Sequence, residues 1–308
     1  MTPRQVILER SDMGLFDKMI RKSTAEQQAE LDRFLDKRER EVAPCDDVVC
    51  DKDLHYIDDG NPRHQMDVYY PKSASERLLV MINIHGGGLL LGCKRANRYY
   101  CEDMCRRGFV VFCPEYSLLP EVNVFDILRE LAVAIDFAVS RAGEYGGDIS
   151  KLYLTGDSAG AYLCVYLAAA RRCEGLAKAG VTAPNCDIAA MGLISGMFYT
   201  TKFDKIGIFL PNYIYGKSWK HSLFREFTNP ENRKLLRALP PSLIITGDGD
   251  YLRAYSRSFY TAAKSAGVEC ELLDIADVKV IHAFAAMLPE SDAGRTANDR
   301  TGEFLRRY

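Results

Sequence analysis

The sequence predicts an α/β fold, in which a mostly parallel sheet is covered by helices on both faces, and three observations carry that reading. Short continuous apolar runs such as LLVMINI (residues 78–84) have the composition of strands buried on both faces. These runs alternate with stretches of helical periodicity, as in a sheet crossed repeatedly by helices. Glycines crowd two strand ends, at HGGG (85–88) and GDSAG (156–160), and active sites of open α/β sheets gather at such ends.

Taken in order, the first 42 or so residues read as charged and helical. Leu15, Phe16, Met19 and Ile20 form one apolar stripe, and Leu31, Phe34 and Leu35 form another. Two strand-like segments follow, VVCDKDLHYI (48–57) and HQMDVYYP (64–71), joined by the turn DDGNPR. LLVMINI is the first buried strand, and RANRYYCEDMCRRG (95–108) a helix closed by Gly108. FVVFCPEY (109–116) is the next strand, and VFDILRELAVAIDFAVSRAG (124–143) a long amphipathic helix. KLYLTG (151–156) runs into the glycine-framed serine, and the helix AGAYLCVYLAAARR (159–172) runs out of it. CDIAAMGLIS (186–195), PSLIITG (241–247) and VECELLDI (268–275) continue the strands, with the helix 251–267 between the last two and a final helix over about 291–307. Residues 197 to about 238 break the rhythm and carry Phe198, Tyr199, Phe203, Phe209, Tyr213, Tyr215 and Trp219. That length exceeds a plain crossover, so an inserted lid is expected.

Composition excludes several classes. Of 308 residues, 47% are hydrophobic and 27% charged, as in globular proteins with a sizeable core. A net charge of −2 with scattered basic pairs gives no reason to expect nucleic acid or an anionic membrane as partner. No run approaches the ~18 apolar residues of a membrane span, and MTPRQVILERSDMGLF has no apolar core of a secretory signal. The ten cysteines are dispersed, and Cys113 and Cys164 sit in apolar runs as small buried hydrophobes. Cys101 and Cys105 share a helix face without further ligands nearby, so no metal site is expected. A reducing cytoplasm fits this cysteine usage.

GDSAG between a buried strand and a helix has the form of a nucleophile elbow, a turn so tight that it exposes Ser158 at the helix N-terminus. A serine hydroxyl needs a base. Of the five histidines, only His282 lies after a late strand. PSLIITGDGDYLR offers two acids at a strand end, Asp248 and Asp250, either of which could instead cap the following helix. Asp157 leaves the elbow in another direction from Ser158 and is a poor partner for the base. HGGG supplies main-chain N–H groups that can approach an oxyanion, and Gly86 and Gly87 with Ala159 would make a three-donor hole. A phosphate loop is the rival reading, but the third glycine of G-x-G-x-x-G and the lysine of a Walker A loop are missing.

HGGG, GDSAG, DYLR and HAF, in this order, together with PEYSLLPE and GGDISKLYLTGDSAG, resemble the hormone-sensitive-lipase-like carboxylesterases, the bacterial HGGG family of the α/β-hydrolase superfamily, over roughly residues 65–305. The resemblance implies an α/β-hydrolase fold: a central, mostly parallel eight-stranded sheet flanked by helices, with a helical cap. It implies a catalytic domain over 46–196 and 231–308, capped by residues 1–45 and the insertion 197–230. It makes Ser158 the nucleophile, His282 the general base and Asp250 the orienting acid, with Asp248 non-catalytic. Gly86, Gly87 and Ala159 become the oxyanion hole, and His85 is structural. The implied reaction is hydrolysis of a small-molecule ester without metal or organic cofactor, and family habit points to a homodimer. The aromatic residues of the insertion suit a short acyl chain or an aryl group, and since no broad exposed apolar entry is legible, short acyl esters are expected over long-chain triglycerides. Ser117, Leu119, Ala161, Ala254 and the HAF in place of H-G-F depart from the family pattern at positions that shape the pocket. A deacetylase or amidase on the same triad is the nearest alternative. A non-catalytic receptor on this fold, as in plant gibberellin receptors that have lost the histidine, is the alternative from another class.

Overall fold

The computed structural model of the chain describes residues 15–43, 45–74 and 76–308. Residues 1–14 of the expected N-terminal cap, and the side chains of Leu15 and Phe16 in its first stripe, lie outside the described residues. The sheet has eight strands: β1 (Val48–His55), β2 (Gln65–Pro71), β3 (Leu78–Ile84), β4 (Phe109–Pro114), β5 (Gly147–Asp157), β6 (Ala190–Ile194), β7 (Ser242–Gly247) and β8 (Cys270–Ile275). Their spatial order is β1-β2-β4-β3-β5-β6-β7-β8. β2 is antiparallel to both β1 and β4, and every pairing from β4 to β8 is parallel.

The buried runs form parallel strands because helices cover both faces, so neither side chain set meets water. Val80, Ile82 and Ile84 of β3 enter one core and Leu79 and Met81 the other. The first core holds α3 (Val124–Arg141), α4 (Ala159–Ala170) and α9 (Arg253–Ser265); the second holds α2 (Arg98–Arg106), the short α10 (Phe284–Met287) and α11 (Asp292–Arg306). Local chemistry starts these helices where the sequence suggests. The Asn123 side chain accepts from the N–H groups of Phe125 and Asp126, and Asp126 answers to the Asn123 N–H, a reciprocal cap on α3. Boundaries shift at strand ends. β5 begins at Gly147 rather than residue 151, because Leu78 and Leu79 at the start of β3 pair with Gly147 and Asp148 and extend the ladder there.

The described residues of this first segment form one helix, α1 (Leu15–Glu41). Leu35 is its one fully buried apolar side chain among the described residues, and polar contacts fasten the rest. Gln28 accepts the Gly92 N–H at 2.8 Å, Arg95 reaches Asp36 and Glu39, and buried Arg38 grips Glu290 with both terminal nitrogens. The insertion is a chain of short pieces: α6 (Lys205–Phe209), α7 (Pro211–Tyr215), two 3₁₀ turns and α8 (Arg233–Leu236), after α5 (Glu174–Lys178) has preceded β6. Its aromatic residues mostly bind it to the body. Phe198 stacks on Phe259 at 4.1 Å, and the Tyr215 hydroxyl meets that of Tyr162 at 2.9 Å. Phe203, by contrast, is 98% exposed.

Candidate active site

Ser158, Asp250 and His282, separated by up to 124 positions, come together because β5, β7 and β8 end on the same side of the sheet. Ser158 follows the last residue of β5 and precedes the first of α4, with φ 52° and ψ −114°. That backbone is costly for any residue with a Cβ, and it persists because the surroundings over-determine it. A Cβ on Gly160 would lie 1.9 Å from the Ile84 carbonyl oxygen, and one on Gly156 would lie 2.7 Å from the Gly160 carbonyl carbon. Only glycine at both positions lets strand and helix approach so closely.

The loops after β7 and β8 are laced together. The Asp248 N–H donates to the Ile275 carbonyl at 2.7 Å and the Val280 N–H to the Asp248 carbonyl at 2.6 Å. Through this lacing His282 Nδ1 stands 2.7 Å from Asp250 Oδ1. Asp250 also accepts from the Leu252 N–H at 3.0 Å and from Thr246 Oγ1 at 2.8 Å. Burial alone would raise the Asp250 carboxyl, but the hydrogen bonds from His282 and Leu252 hold it below its usual value. Asp248, the other acid left open by the strand-end motif, pairs with Arg253 at 2.9 Å and does not meet the imidazole. His282 Nε2 is buried without a protein hydrogen-bond partner among the described residues. Tyr251 lies on the His282 ring, with centroids 4.2 Å apart.

The HGGG segment behaves differently from expectation at one position. The Gly86 N–H, expected as an oxyanion donor, donates instead to Asp157 Oδ1 at 3.0 Å, so it is not available to a ligand. Among the described residues, the N–H groups of Gly87 and Gly88 donate to no protein acceptor. Ala159, as the first residue of α4, has one of the N–H groups that a helix cannot satisfy internally. Asp157 is thus a holder of the loop rather than a partner of the base. It also accepts from Asn97 Nδ2 at 2.8 Å, and Asn97 in turn donates to Asn83. Burial pushes the Asp157 carboxyl up, against the hydrogen bond from Asn97. The other anchor of the loop is His85, fully buried, stacked on Tyr116 at 4.2 Å and 3.1 Å from Glu115 Oε1. Burial opposes ionisation of Glu115, but His85, Arg63 and the Lys94 N–H hold its carboxyl below the ordinary value. Glu115 lies in PEYSLLPE, where the residue type alone could have marked it; Asn97 has no sequence signal.

A cavity of about 700 Å³ joins these groups. Gly86, Gly87, Gly88, Ser158 and His282 form its floor, and α1 supplies one wall through Ile20, Leu31 and Phe34. The insertion adds Met197, Ile206 and Leu210. The lid aromatics therefore do not line it, with the bulk of them packed on the body. Nothing in the sequence marked an apolar entry, yet Tyr251 and Ile281 stand exposed among the residues around it. Among the described residues, no cluster of His, Cys, Asp or Glu is arranged to hold a metal ion, and no helix is long and apolar enough to cross a membrane.

Comparison with known proteins agrees with this architecture. A probable isoprenylcysteine α-carbonyl methylesterase of Arabidopsis thaliana is 24% identical over 225 residues, 69% of this chain and 47% of the relative. The chain thus matches about half the length of that plant protein. Hormone-sensitive lipase of Mus musculus is 30% identical over 96 residues, 31% of this chain and 13% of the lipase. Esterase B from Lactobacillus rhamnosis, solved with a tributyrin phosphonate inhibitor, superimposes with a TM-score of 0.84 at 21% identity, covering 94% of this chain and 96% of that one. A thermostable carboxylesterase cloned from a metagenomic library gives 0.69 at 20% identity, covering 92% and 97%. A family model described as the alpha/beta hydrolase fold matches residues 81–286. The chain belongs to the α/β-hydrolase fold family, and within it resembles the hormone-sensitive-lipase-like members.

Proposed function

We propose that the chain is a serine carboxylesterase working through an acyl-enzyme. The observation that carries this reading is the pairing of His282 Nδ1 with Asp250 at 2.7 Å, in one cavity with a serine held at positive φ. In the proposed reaction Ser158 Oγ attacks the ester carbonyl carbon as its proton passes to His282 Nε2. Asp250 fixes the tautomer by accepting from Nδ1. The oxyanion receives the N–H groups of Gly87 and Ala159, and Gly88 takes the place that Gly86 cannot fill. Collapse expels the alcohol, which takes the proton from His282. Water, deprotonated by the same imidazole, then releases the acid. The relatives' names, methylesterase and lipase, are consistent with ester chemistry.

The cavity supports an apolar acyl group of short to medium length, since about 700 Å³ lies in the middle of the range for small-molecule sites. α1 and the insertion 197–230 act as the cap, because both contribute wall and neither contributes a strand. The dispersed, unpatterned cysteines are the basis on which we place the protein in a reducing cytoplasm. The test is hydrolysis of aryl esters from acetate to palmitate by the wild type and by Ser158→Ala. Activity on the shorter chains that vanishes in the variant is expected. Equal rates in both proteins, or faster turnover of long-chain emulsions than of soluble esters, would refute the serine mechanism or the acyl preference respectively.

A further inference from the structure

We propose that Tyr251 is a positioning residue for the reaction inferred above, its ring lying over the His282 imidazole so as to stabilise the imidazolium formed when Ser158 gives up its proton. The proposal rests on the esterase reading and adds to it a residue outside the triad and the oxyanion hole. The two rings have centroids 4.2 Å apart and planes inclined by 34°. An aromatic face within about 6 Å of a cation attracts it through the ring quadrupole. Asp250 meets the imidazole at its Nδ1 edge, and the next residue in the chain covers its face.

Packing does not account for this placement. Tyr251 is 71% exposed, whereas its neighbours Asp250 and Leu252 are 5% and 4% exposed. Two buried anchors therefore hold out a large ring that contributes little to the core, and its principal ring contact is the imidazole. Although most of the residue is exposed, partial desolvation and then the Asp250 and Asp157 carboxylates push the hydroxyl above its usual value, so the ring stays neutral at working pH. Of the other charged groups, Asp250 meets the imidazole edge, the buried Asp157 acts on it through space, and Glu30 lines the same cavity from α1. None is altered by a change at residue 251.

The test compares wild type, Tyr251→Phe, Tyr251→Leu and Ser158→Ala on a soluble short-chain aryl ester across the pH range of activity. Tyr251→Phe keeps the ring and is expected to match the wild type. Tyr251→Leu keeps bulk and loses the quadrupole, so kcat on the plateau falls about 2- to 5-fold. At the same time the acid limb of kcat/KM moves to lower pH by about half a unit. The sign follows from the chemistry: without the ring the protonated base is less favoured, so the neutral base persists into more acidic solution. A purely structural role would lower the rate equally at every pH. An acid limb that stays in place in Tyr251→Leu, or one that moves equally in Tyr251→Phe, would overturn the proposal. If wild type is no faster than Ser158→Ala, the esterase reading itself fails and the proposal with it; an unmoved limb in a serine-dependent enzyme sinks the proposal alone.

Discussion

Replacing Gly160 by alanine probes the closest approach in the site. The added Cβ would lie 1.9 Å from the Ile84 carbonyl oxygen and 2.8 Å from that of His85, its nearest neighbours being backbone that cannot rotate away. Cβ contacts below 3.0 Å are essentially never found, so the start of α4 must retreat from the end of β3 by more than 1 Å. That movement carries Ser158 and the Ala159 N–H away from the Gly87–Gly88 loop. Overpacking of this kind costs about 1–3 kcal/mol of stability, and a misplacement of about 1 Å in reacting groups costs about 10²-fold in rate. Gly160→Ala is therefore expected to lower kcat on an aryl acetate about 100-fold, with far-ultraviolet circular dichroism unchanged and a lowered Tm. Gly180→Ala is the control: it has φ 91° but open space around its Cβ, and it does not line the cavity. It should lose up to about 1–2 kcal/mol for the left-handed backbone and keep its kcat within about 2-fold. A folded Gly160→Ala protein with wild-type kcat would show that the elbow tolerates a Cβ and that the steric reasoning is wrong.

Two further outcomes are expected. Asp250→Asn should lower kcat by about 10⁴ because the wrong tautomer is held, while Asp248→Asn, whose partner is Arg253, should stay within a few-fold; equal losses in steady-state assays would contradict the assignment of the acid. For Glu115 the native carboxyl lies below its ordinary value of 4.5, so the unfolded chain binds the proton more readily and the ion contributes stability above about pH 4.5 that is lost as pH falls through the native value. Glu115→Gln should then unfold at lower temperature than wild type at pH 7, with the gap closing toward pH 3; a gap that does not change with pH would show that the charge of Glu115 is not what stabilises the loop.

Much of this architecture was legible in the residues. LLVMINI is a strand because five successive apolar side chains, with Ile84 beyond Asn83, can be buried only where both faces are covered, and its observed span coincides with that run. GDSAG was readable because two glycines around a serine at a strand end answer a steric demand that few other turns make. Less was legible where the controlling contacts are distant in sequence. The Gly86 N–H and the Gly87 N–H look alike in HGGG, and only the arrival of Asp157 from β5, 71 positions away, removes the first from service. The lid aromatics resisted assignment for a similar reason, since an exposed Phe203 and a buried Phe198 differ only in whether Phe259 stands opposite.

The sequence by itself determined the strands, the alternating helices and the candidates for nucleophile and base, Ser158 and His282, because periodicity, glycine sterics and the scarcity of histidine are local or compositional properties. The residues themselves left Asp248 and Asp250 open, and only the family resemblance chose between them; the tertiary structure shows Asp250 at His282, which glycine N–H groups remain available, and which residues of α1 line the cavity. These depend on where β3, β5, β7 and β8 deliver their loops, and a hydrogen bond between residues 32 positions apart, such as that of Asp250 to His282, forms only when the sheet has set the ends of β7 and β8 side by side.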